Sequence, residues 1–137
     1  MKVVVQRVKE SSVTIDGSVY GQIQKGFMVL VGFCQDDTKE IVDKIVDKMI
    51  GLRVFEDENG KMNLSLQDVQ GSILSISQFT LYADCKKGRR PSFIHAAKPE
   101  YAIPLYDYFN EKIKEHGIEL QTGVFGADMK VSLINDG

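Results

Sequence analysis

The sequence predicts an α+β fold: a curved, largely antiparallel sheet or barrel with two helices packed on the outside. At least seven short apolar segments have the composition of strands, and only two segments repeat apolar residues at helical spacing. Strands and helices do not alternate regularly, which argues against a parallel sheet built from βαβ units. A chain of 137 residues is long enough to bury its own core, so we expect residues 1–137 to form a single domain.

The first quarter of the chain is predicted to consist of strands. Residues 3–8 and 12–15 are expected to form the first two strands. Asp16-Gly17 is typical of a two-residue hairpin turn, which would lead into a third strand at residues 19–23. Residues 27–31 form a continuous apolar run that suits a central strand covered on both faces.

Two amphipathic helices are predicted. The first covers residues 37–51, with Asp37 as its N-cap, Glu40 completing a capping box and Gly51 as its end. The second ends at His116-Gly117 and begins either at Pro99 or nearer Pro104, because a proline is tolerated only near the start of a helix. Both helices are expected to pack one apolar face on the sheet.

The remaining strands are predicted at residues 52–55, 73–81, 118–124 and 129–134. The stretch 73–81 reads as a mostly buried strand, yet it contains Ser75, Ser77, Gln78 and Thr80. A buried hydroxyl or amide is costly unless a partner satisfies it. These groups therefore either bond to neighbouring backbone or line a pocket in which a ligand completes the set.

The charge balance limits the possible partners. A net charge of -2 argues against bulk electrostatic capture of nucleic acid. The densest positive patch is the predicted loop 86–93, which contains Lys86, Lys87, Arg89 and Arg90. Such a patch is either a solvated face or a contact for phosphate, and the residues alone leave both readings open.

No metal or cofactor is predicted. Cys34 and Cys85 form neither a disulfide framework nor a zinc pattern, and His95 and His116 lack partners at ligand spacing. The N-terminus does not read as a signal peptide, and no apolar run is long enough to span a membrane. We therefore expect a cytoplasmic protein with no membrane partner.

Four stretches together form a distinctive pattern from end to end of the chain: residues 5–8 (Val-Gln-Arg-Val), 77–81 (Ser-Gln-Phe-Thr-Leu), 86–93 and 121–137. In these stretches, and in their order, the sequence resembles the D-aminoacyl-tRNA deacylase family. The resemblance implies hydrolysis of the ester that joins a D-amino acid, or glycine, to tRNA, as chiral proofreading in translation. It also implies a homodimer with its active site at the subunit interface, and no metal or other cofactor.

The resemblance also implies a catalytic group made of Ser77, Gln78, Phe79 and Thr80. Backbone N–H groups near Phe79 and Thr80 would stabilise the oxyanion of the tetrahedral intermediate. We expect Thr80 to position the substrate and not to attack it, because no base that could activate its hydroxyl is evident. The 2′-OH of the terminal adenosine of tRNA would then help to activate water.

Two sets of binding residues follow from the same resemblance. Phe125 and Met129 would surround the 3′ terminal adenosine and the pocket, and Ala102 is a further candidate for which core packing is the simpler explanation. The tRNA acceptor end would contact the cations of the loop, namely Lys86, Lys87, Arg89 and Arg90.

A further motif of the family, Asn-x-Gly-Pro, reaches into the pocket of the partner subunit and excludes L-amino acids. Asn135-Asp136-Gly137 matches its first part, and Arg7 is expected to orient it. The sequence ends before the proline, so we expect the chain to lack the last C-terminal strand of the family.

Two other functions are compatible with the residues. One is a non-catalytic nucleic-acid-binding module, since relatives of the family have been linked to DNA replication origins. The other is a serine or threonine esterase that uses His95 as its base. A deacylation assay beside nucleic-acid binding separates the first from an enzyme, and a model-ester assay on His95→Ala tests the second.

Overall fold

A computed structural model describes residues 1–137. The chain forms eight strands, two α-helices and a one-turn 3₁₀-helix. The strands are β1 (Lys2–Ile15), β2 (Ser18–Ile23), β3 (Gly26–Gly32), β4 (Phe55–Glu56), β5 (Met62–Leu64), β6 (Ser72–Ser77), β7 (Leu120–Thr122) and β8 (Lys130–Asn135). The α-helices are α1 (Lys39–Gly51) and α2 (Pro99–Glu115), and the 3₁₀-helix is Phe79–Tyr82. No helix is both long and apolar enough to cross a membrane.

The main sheet is mixed and nearly closes into a barrel. Its order is β2-β1-β3-β6-β7, with β8 also pairing with β1, while β4 and β5 form a separate pair. The pairings of β1 are all antiparallel, whereas β6 lies parallel to β3 and to β7. Gly21 of β2 faces β7 so closely that a Cβ there would lie 3.0 Å from the carbonyl oxygen of Thr122. The predicted α+β class, with its curved sheet and two helices, is confirmed. The two parallel pairings were not predicted from the sequence.

The two N-terminal strands predicted at residues 3–8 and 12–15 are wrong as separate elements, because they form the single strand β1. Lys9 and Glu10 interrupt the apolar pattern, but neither is a turn former, so the backbone stays extended. The first half of β1 pairs with β3 and the second half with β2 and β8. The hairpin turn at Asp16-Gly17 is confirmed, with φ of 50° and 80°.

Strand β3 is central, as predicted, and separates two cores. Phe27, Val29 and Val31 face the larger core, which the sheet forms with α1 and α2. Met28 faces a smaller core inside the curved sheet, which also contains Val8, Val13, Ile23, Leu74 and Ile76. Burial on both faces explains why this strand shows no alternation of apolar and polar residues.

Helix α1 is capped by Thr38, whose hydroxyl accepts the N–H of Ile41 at 3.4 Å, so the predicted cap at Asp37 is wrong. The buried Asp37 carboxylate instead accepts from the amino group of Met1 at 2.5 Å and from the N–H of Cys34 at 2.8 Å. These two donors occupy the carboxylate, so it does not cap the helix. The predicted end at Gly51 is confirmed.

Helix α2 begins at Pro99, so the alternative start near Pro104 is wrong. Pro104 lies inside the helix but on its exposed side. The carbonyl group that loses its intrahelical N–H partner can therefore bond to water. The apolar face that includes Ala102, Leu105 and Phe109 is buried in the larger core.

Three predicted strands are displaced or shorter in the structure. The strand predicted at residues 52–55 is displaced to β4, Phe55–Glu56. The strands predicted at residues 118–124 and 129–134 correspond to β7 and β8. β7 pairs with β6, and the segment that leads into β8 lines the site described below.

Candidate active site

The polar stretch after Ile76 is a strand end followed by a turn, so the strand predicted to continue to residue 81 is wrong. β6 ends at Ser77, and Phe79–Tyr82 forms a 3₁₀-helix. The partner strand β3 ends at Gly32, where a Cβ would lie 2.8 Å from the carbonyl oxygen of Gln78. The chain turns here because its partner strand has ended and because a glycine permits the close approach.

Ser75, Ser77 and Gln78 lie in different surroundings. Ser75 is fully buried, its Oγ lies 3.4 Å from the hydroxyl of Tyr106, and its carbonyl oxygen accepts that hydroxyl at 2.8 Å. Ser77 and Gln78 are only half-buried, and the side-chain amide of Gln78 donates to the hydroxyl of Thr80. Ser75 is thus satisfied by Tyr106 across the fold and not by neighbouring backbone, whereas Ser77 and Gln78 line a cleft.

This cleft, which we call the β6 cleft, has a volume of about 250 Å³. Its walls are the end of β6 and the segment that leads into β8. The lining residues are Ile76, Ser77, Gln78, Phe79, Phe125, Gly126, Ala127, Asp128, Met129 and Val131. Five residues predicted from the sequence therefore meet here, and Thr80 adjoins them through its bond to Gln78.

Ala102 lies behind the cleft and not in it. Its side chain is buried in the larger core, and it borders only a narrow space of about 10 Å³ beside Gln78, Phe79 and Phe125. The simpler sequence interpretation of Ala102, core packing, agrees with this position.

The turn at the mouth of the cleft presents backbone N–H groups. A 3₁₀-helix bonds each amide to the carbonyl three residues earlier, and the first such bond here runs from Leu81 to Gln78 at 3.3 Å. The amides of Phe79 and Thr80 precede it and are left outside the hydrogen bonds of the helix, and no side chain caps this helix. Two adjacent amides of this kind form a site for a developing negative charge.

The cleft contains hydroxyl groups but no base beside them. Its one ionisable side chain, Asp128, is exposed and forms an ion pair with Lys130 at 2.7 Å. The Nε2 atom of His95 lies 3.9 Å from Oδ2 of Asp84, and this histidine lines a different cavity. Neither Ser77 nor Thr80 is hydrogen-bonded to an imidazole or a carboxylate, so a hydroxyl nucleophile would have no activating partner here.

A larger cavity, of about 700 Å³, lies on the other side of the turn. It is lined by Lys2, Cys34, Gln35, Asp36, Tyr82, Ala83, Asp84, Cys85, Lys86 and His95. Desolvation, together with the neighbouring Cys34 thiol, raises the pKa of Tyr82, so this phenol stays protonated. Neither cysteine sulfur is hydrogen-bonded to the imidazole. Of the site residues that the family resemblance implies, only Lys86 lines this cavity, so the smaller β6 cleft is the better candidate for the active site.

Arg7, Asn135 and Gly137 form a second group elsewhere in the chain. Arg7 donates to the carbonyl oxygens of Asp136 and Val54, both at 2.6 Å, and the side-chain amide of Gln6 donates to Asn135 at 3.2 Å. Gly137 has φ of 98°, and a Cβ there would lie 2.5 Å from Arg7 Nη2. Arg7 and Gly137 line a pocket of about 260 Å³ that shares no residue with the β6 cleft. Within one chain, the predicted site residues therefore fall into two separate groups.

The basic loop is exposed and closed at its base. Asp84 and Ser92 exchange two backbone hydrogen bonds of 2.8 and 2.9 Å, and Gly88, with φ of 65°, turns the chain between them. The four cations, Lys86, Lys87, Arg89 and Arg90, are exposed and none is in an ion pair. At the base of the loop, the ring of Phe93 packs edge-on against Phe79, with centroids 5.1 Å apart. The loop is thereby attached to the mouth of the cleft.

Sequence reasoning missed two aromatic residues beside the cleft. The sequence places Phe93 in the predicted basic loop and Tyr106 in the second predicted helix, with no role at the site for either. The ring centroids of Tyr106 and Phe125 lie 6.1 Å apart, and the hydroxyl of Tyr106 donates to the carbonyl oxygen of Ser75 in β6. An apolar residue inside a cationic loop was the available signal for Phe93, whereas nothing in the sequence distinguishes Tyr106 from other core aromatics.

A family model and the curated relatives name one family for this chain. The model of the family described as D-Tyr-tRNA(Tyr) deacylase matches residues 4–137. The proteins named D-aminoacyl-tRNA deacylase from Exiguobacterium sibiricum and Bacillus cytotoxicus are 61% and 59% identical to the chain, and each alignment covers all of it and 94% of the relative. A solved structure named c-Myc DNA Unwinding Element Binding Protein is 41% identical, with a TM-score of 0.93 over 99% of this chain and 93% of that one.

Proposed function

The chain belongs to the D-Tyr-tRNA(Tyr) deacylase family and hydrolyses D-aminoacyl-tRNA, and we propose that it cleaves the ester in the β6 cleft. The products are a free D-amino acid and tRNA, and glycyl-tRNA is a second substrate class. The activity removes wrongly charged tRNA before translation uses it. The observation that carries the assignment to the cleft is that Ser77, Gln78, Phe79, Phe125 and Met129 line one cavity.

The ester carbonyl faces the amides of Phe79 and Thr80. When water attacks the carbonyl carbon, the oxygen acquires negative charge, and two fixed N–H donors stabilise that charge more than they stabilise the neutral ester. Both amides are left outside the hydrogen bonds of the turn, which supports this role. The turn is fixed by the bond from the N–H of Gln78 to Val31 at 2.8 Å.

The proton is removed by the substrate and not by a side chain. The cleft offers no imidazole and no buried carboxylate, so the 2′-OH of the terminal adenosine helps to activate the attacking water. The water oxygen bonds to the carbonyl carbon while a water proton passes to the 2′-oxygen. The ester C–O bond then breaks, and the 3′-oxygen leaves on the tRNA with the proton that the 2′-OH gives up, so the 2′-OH is regenerated. Thr80, which accepts from the Gln78 amide, positions the substrate.

The terminal adenosine occupies the side of the cleft formed by Phe125 and Met129. Phe125 rests on Tyr106 at its back, and the sulfur of Met129 packs against Gly123, where a Cβ would lie 2.3 Å from it. Both side chains are therefore supported from behind, which favours one orientation of the bound base.

The acceptor end of the tRNA follows the basic loop. Four unpaired cations on a chain of net charge -2 form the local positive field that a polyphosphate backbone requires. These contacts bind phosphate and read no base, so they supply affinity and not sequence preference.

The active unit is a homodimer that works in the cytoplasm, where charged tRNA is used. Arg7, Asn135 and Gly137 lie apart from the cleft of their own chain, and Asn135 and Gly137 are exposed. In a dimer this group faces the cleft of the partner subunit and restricts it to D-amino acids. Sedimentation equilibrium is expected to give twice the 15.4 kDa chain mass, and a monomer at working concentration would contradict this arrangement.

The experiment that tests the proposed function is release of D-tyrosine and of L-tyrosine from charged tRNA. We expect D-tyrosine to be released at a catalysed rate and L-tyrosine at the uncatalysed rate. Equal rates for the two isomers would contradict chiral proofreading, and two uncatalysed rates would contradict the activity itself.

A second candidate function is nucleic-acid binding without catalysis. The 41% identity to a structure named c-Myc DNA Unwinding Element Binding Protein favours it. Filter binding of tRNA and of duplex DNA, run on the same preparation as the deacylation assay, distinguishes the two. Tight binding of duplex DNA without deacylation would favour the second candidate.

A further inference from the structure

Phe79 and Phe93 form an exposed aromatic pair whose rings have no role in the hydrolysis proposed for the cleft. Their side chains are 54% and 37% exposed, and the ring centroids lie 5.1 Å apart at an interplanar angle of 71°. Large aromatic rings in contact at a surface mark a place where a partner covers apolar area. The backbone of Phe79 serves the oxyanion, but that role does not explain why its ring is exposed.

The surroundings of the pair define the chemistry of its partner. Phe93 follows directly on the residues that close the basic loop, whose cations are all exposed and unpaired. Phe79 lines the β6 cleft. The pair therefore lies between a positive patch and the pocket for a nucleoside. Aromatic faces beside a cationic track are the usual way in which proteins bind single-stranded nucleic acid.

We propose that Phe79 and Phe93 form a stacking platform for the unpaired nucleotides that immediately precede the terminal adenosine of the substrate tRNA. This inference rests on the proposed function, because it extends the substrate from the adenosine in the cleft to the preceding bases. The platform holds one or two bases, whose phosphates continue towards Lys86, Lys87, Arg89 and Arg90. Stacking is tolerant of base identity, so the platform aligns the ester in the cleft without selecting among tRNAs.

The test compares two substrates of different length. D-tyrosyl-tRNA carries the preceding nucleotides, whereas 3′-O-(D-tyrosyl)adenosine carries only the terminal one. For Phe93→Ala we expect kcat/KM on D-tyrosyl-tRNA to fall by about tenfold, in keeping with the loss of one base–aromatic contact. The same variant should cleave D-tyrosyl-adenosine at the rate of the unchanged chain, because Phe93 does not line the β6 cleft.

Two further variants control for indirect effects. Phe93→Tyr keeps the aromatic face and should retain cleavage of D-tyrosyl-tRNA, whereas Phe93→Leu keeps apolar bulk without a π-face and should resemble Phe93→Ala. A binding measurement gives an independent readout: an RNA tetranucleotide with 2-aminopurine just before its terminal adenosine should lose fluorescence on binding the unchanged chain, and much less on binding Phe93→Ala.

Four results would overturn the proposal. Equal cleavage of D-tyrosyl-tRNA by Phe93→Ala and the unchanged chain would show that the aromatic pair does not bind the substrate. An equal loss on both substrates would make Phe93 a support for the turn at Phe79. Retention of full activity by Phe93→Leu would indicate packing and not stacking. A change from dimer to monomer in Phe93→Ala would mean that a second copy of the chain covers the pair. If the unchanged chain cleaves neither substrate, the proposed function itself fails, which is a distinct outcome.

Discussion

The hydroxyl of Thr80 accepts a hydrogen bond from the side-chain amide of Gln78 and is bonded to neither an imidazole nor a carboxylate. Its role should therefore be to position the substrate and not to attack it. We expect Thr80→Ala to slow D-tyrosine release from tRNA by about tenfold, in keeping with the loss of one hydrogen bond of about 1.4 kcal/mol. Single-turnover rates measure this effect.

The matched variant for Thr80 is Thr80→Ser, which keeps the hydroxyl and should retain most of the rate. A rate for Thr80→Ala that equals spontaneous hydrolysis would instead restore Thr80 as a nucleophile.

Tyr106 connects the cleft to the core, since its hydroxyl donates to Ser75 and its ring packs near Phe125. Tyr106→Phe should lower the free energy of unfolding by about 1 kcal/mol at pH 7, because the buried carbonyl oxygen of Ser75 loses its hydrogen bond from the Tyr106 hydroxyl. Urea denaturation measures the change. Tyr101→Phe is the control: its hydroxyl also donates to a carbonyl, at 2.6 Å, but the side chain is half-exposed, so water can replace the bond and the cost should be smaller.

Burial raises the pKa of Tyr106, so its proton is held more tightly in the folded chain than in the unfolded one. The stability from this group is therefore complete below the unfolded pKa of about 10, and is lost as the pH rises through the folded value. Tyr106→Phe should make the alkaline loss of stability shallower. An unchanged slope above pH 10 would assign that loss to other groups, such as Tyr82, whose pKa is also raised.

At the scale of residues, the sequence identified much of the cleft but not its supports. Ser77, Gln78, Phe79, Phe125 and Met129 were all predicted, and they line one cavity. Tyr106 was not predicted as part of the site, because its contribution depends on which carbonyl its hydroxyl reaches after folding. Such a contact across the fold leaves no local pattern in the chain.

At the scale of elements, the parallel pairing of β3 with β6 positions the turn that we propose to be catalytic. Gly26 begins β3, and a Cβ there would lie 1.8 Å from the carbonyl oxygen of Ser72 on β6. Gly26→Ala should therefore force the two strands apart and lower the free energy of unfolding by about 3 kcal/mol. Gly51→Ala is the control, since nothing lies within 4 Å of a Cβ there, and should change stability little. Equal effects in thermal or urea denaturation would contradict this role for Gly26.

The basic loop is expected to bind phosphate through charge alone. Replacing both Arg89 and Arg90 by alanine should raise KM for D-tyrosyl-tRNA and reduce the slope of log KM against log salt by about 1 to 2. Because both side chains are exposed and unpaired, the free energy of unfolding should stay unchanged.

The matched control for the loop replaces Lys44 and Lys48, which lie on the exposed face of α1. It removes the same charge at another place and should leave KM near its original value. If the two double variants behave alike, net charge and not the loop determines binding.

The elements were predictable where local chemistry decides them. The hairpin at Asp16-Gly17, the central strand β3 and the end of α1 at Gly51 were all identified from the sequence. The continuity of β1 and the turn after Ser77 were not. Each depends on where a neighbouring strand begins or ends, and a partner strand is not visible in the local sequence.

At the scale of the whole molecule, a rigid scaffold holds a cleft that is poor in acid–base groups. The larger core attaches both helices to the sheet, and the smaller core fills its curved interior. The cleft opens where β6 leaves the sheet, beside the segment that enters β8. In the proposed mechanism, backbone donors at this edge stabilise the oxyanion, because the cleft has exposed Asp128 as its only ionisable side chain.

The central claim is that the substrate supplies the proton acceptor and the backbone supplies the oxyanion donors. Its most direct test is the single-turnover release of D-tyrosine from two tRNAs, one ending in adenosine and the other in 2′-deoxyadenosine, both charged on the 3′-oxygen. The account predicts rapid release from the first and a rate at least about a hundredfold lower from the second, as for the loss of a general base. Equal rates on the two tRNAs would contradict it, and would place the base on the protein.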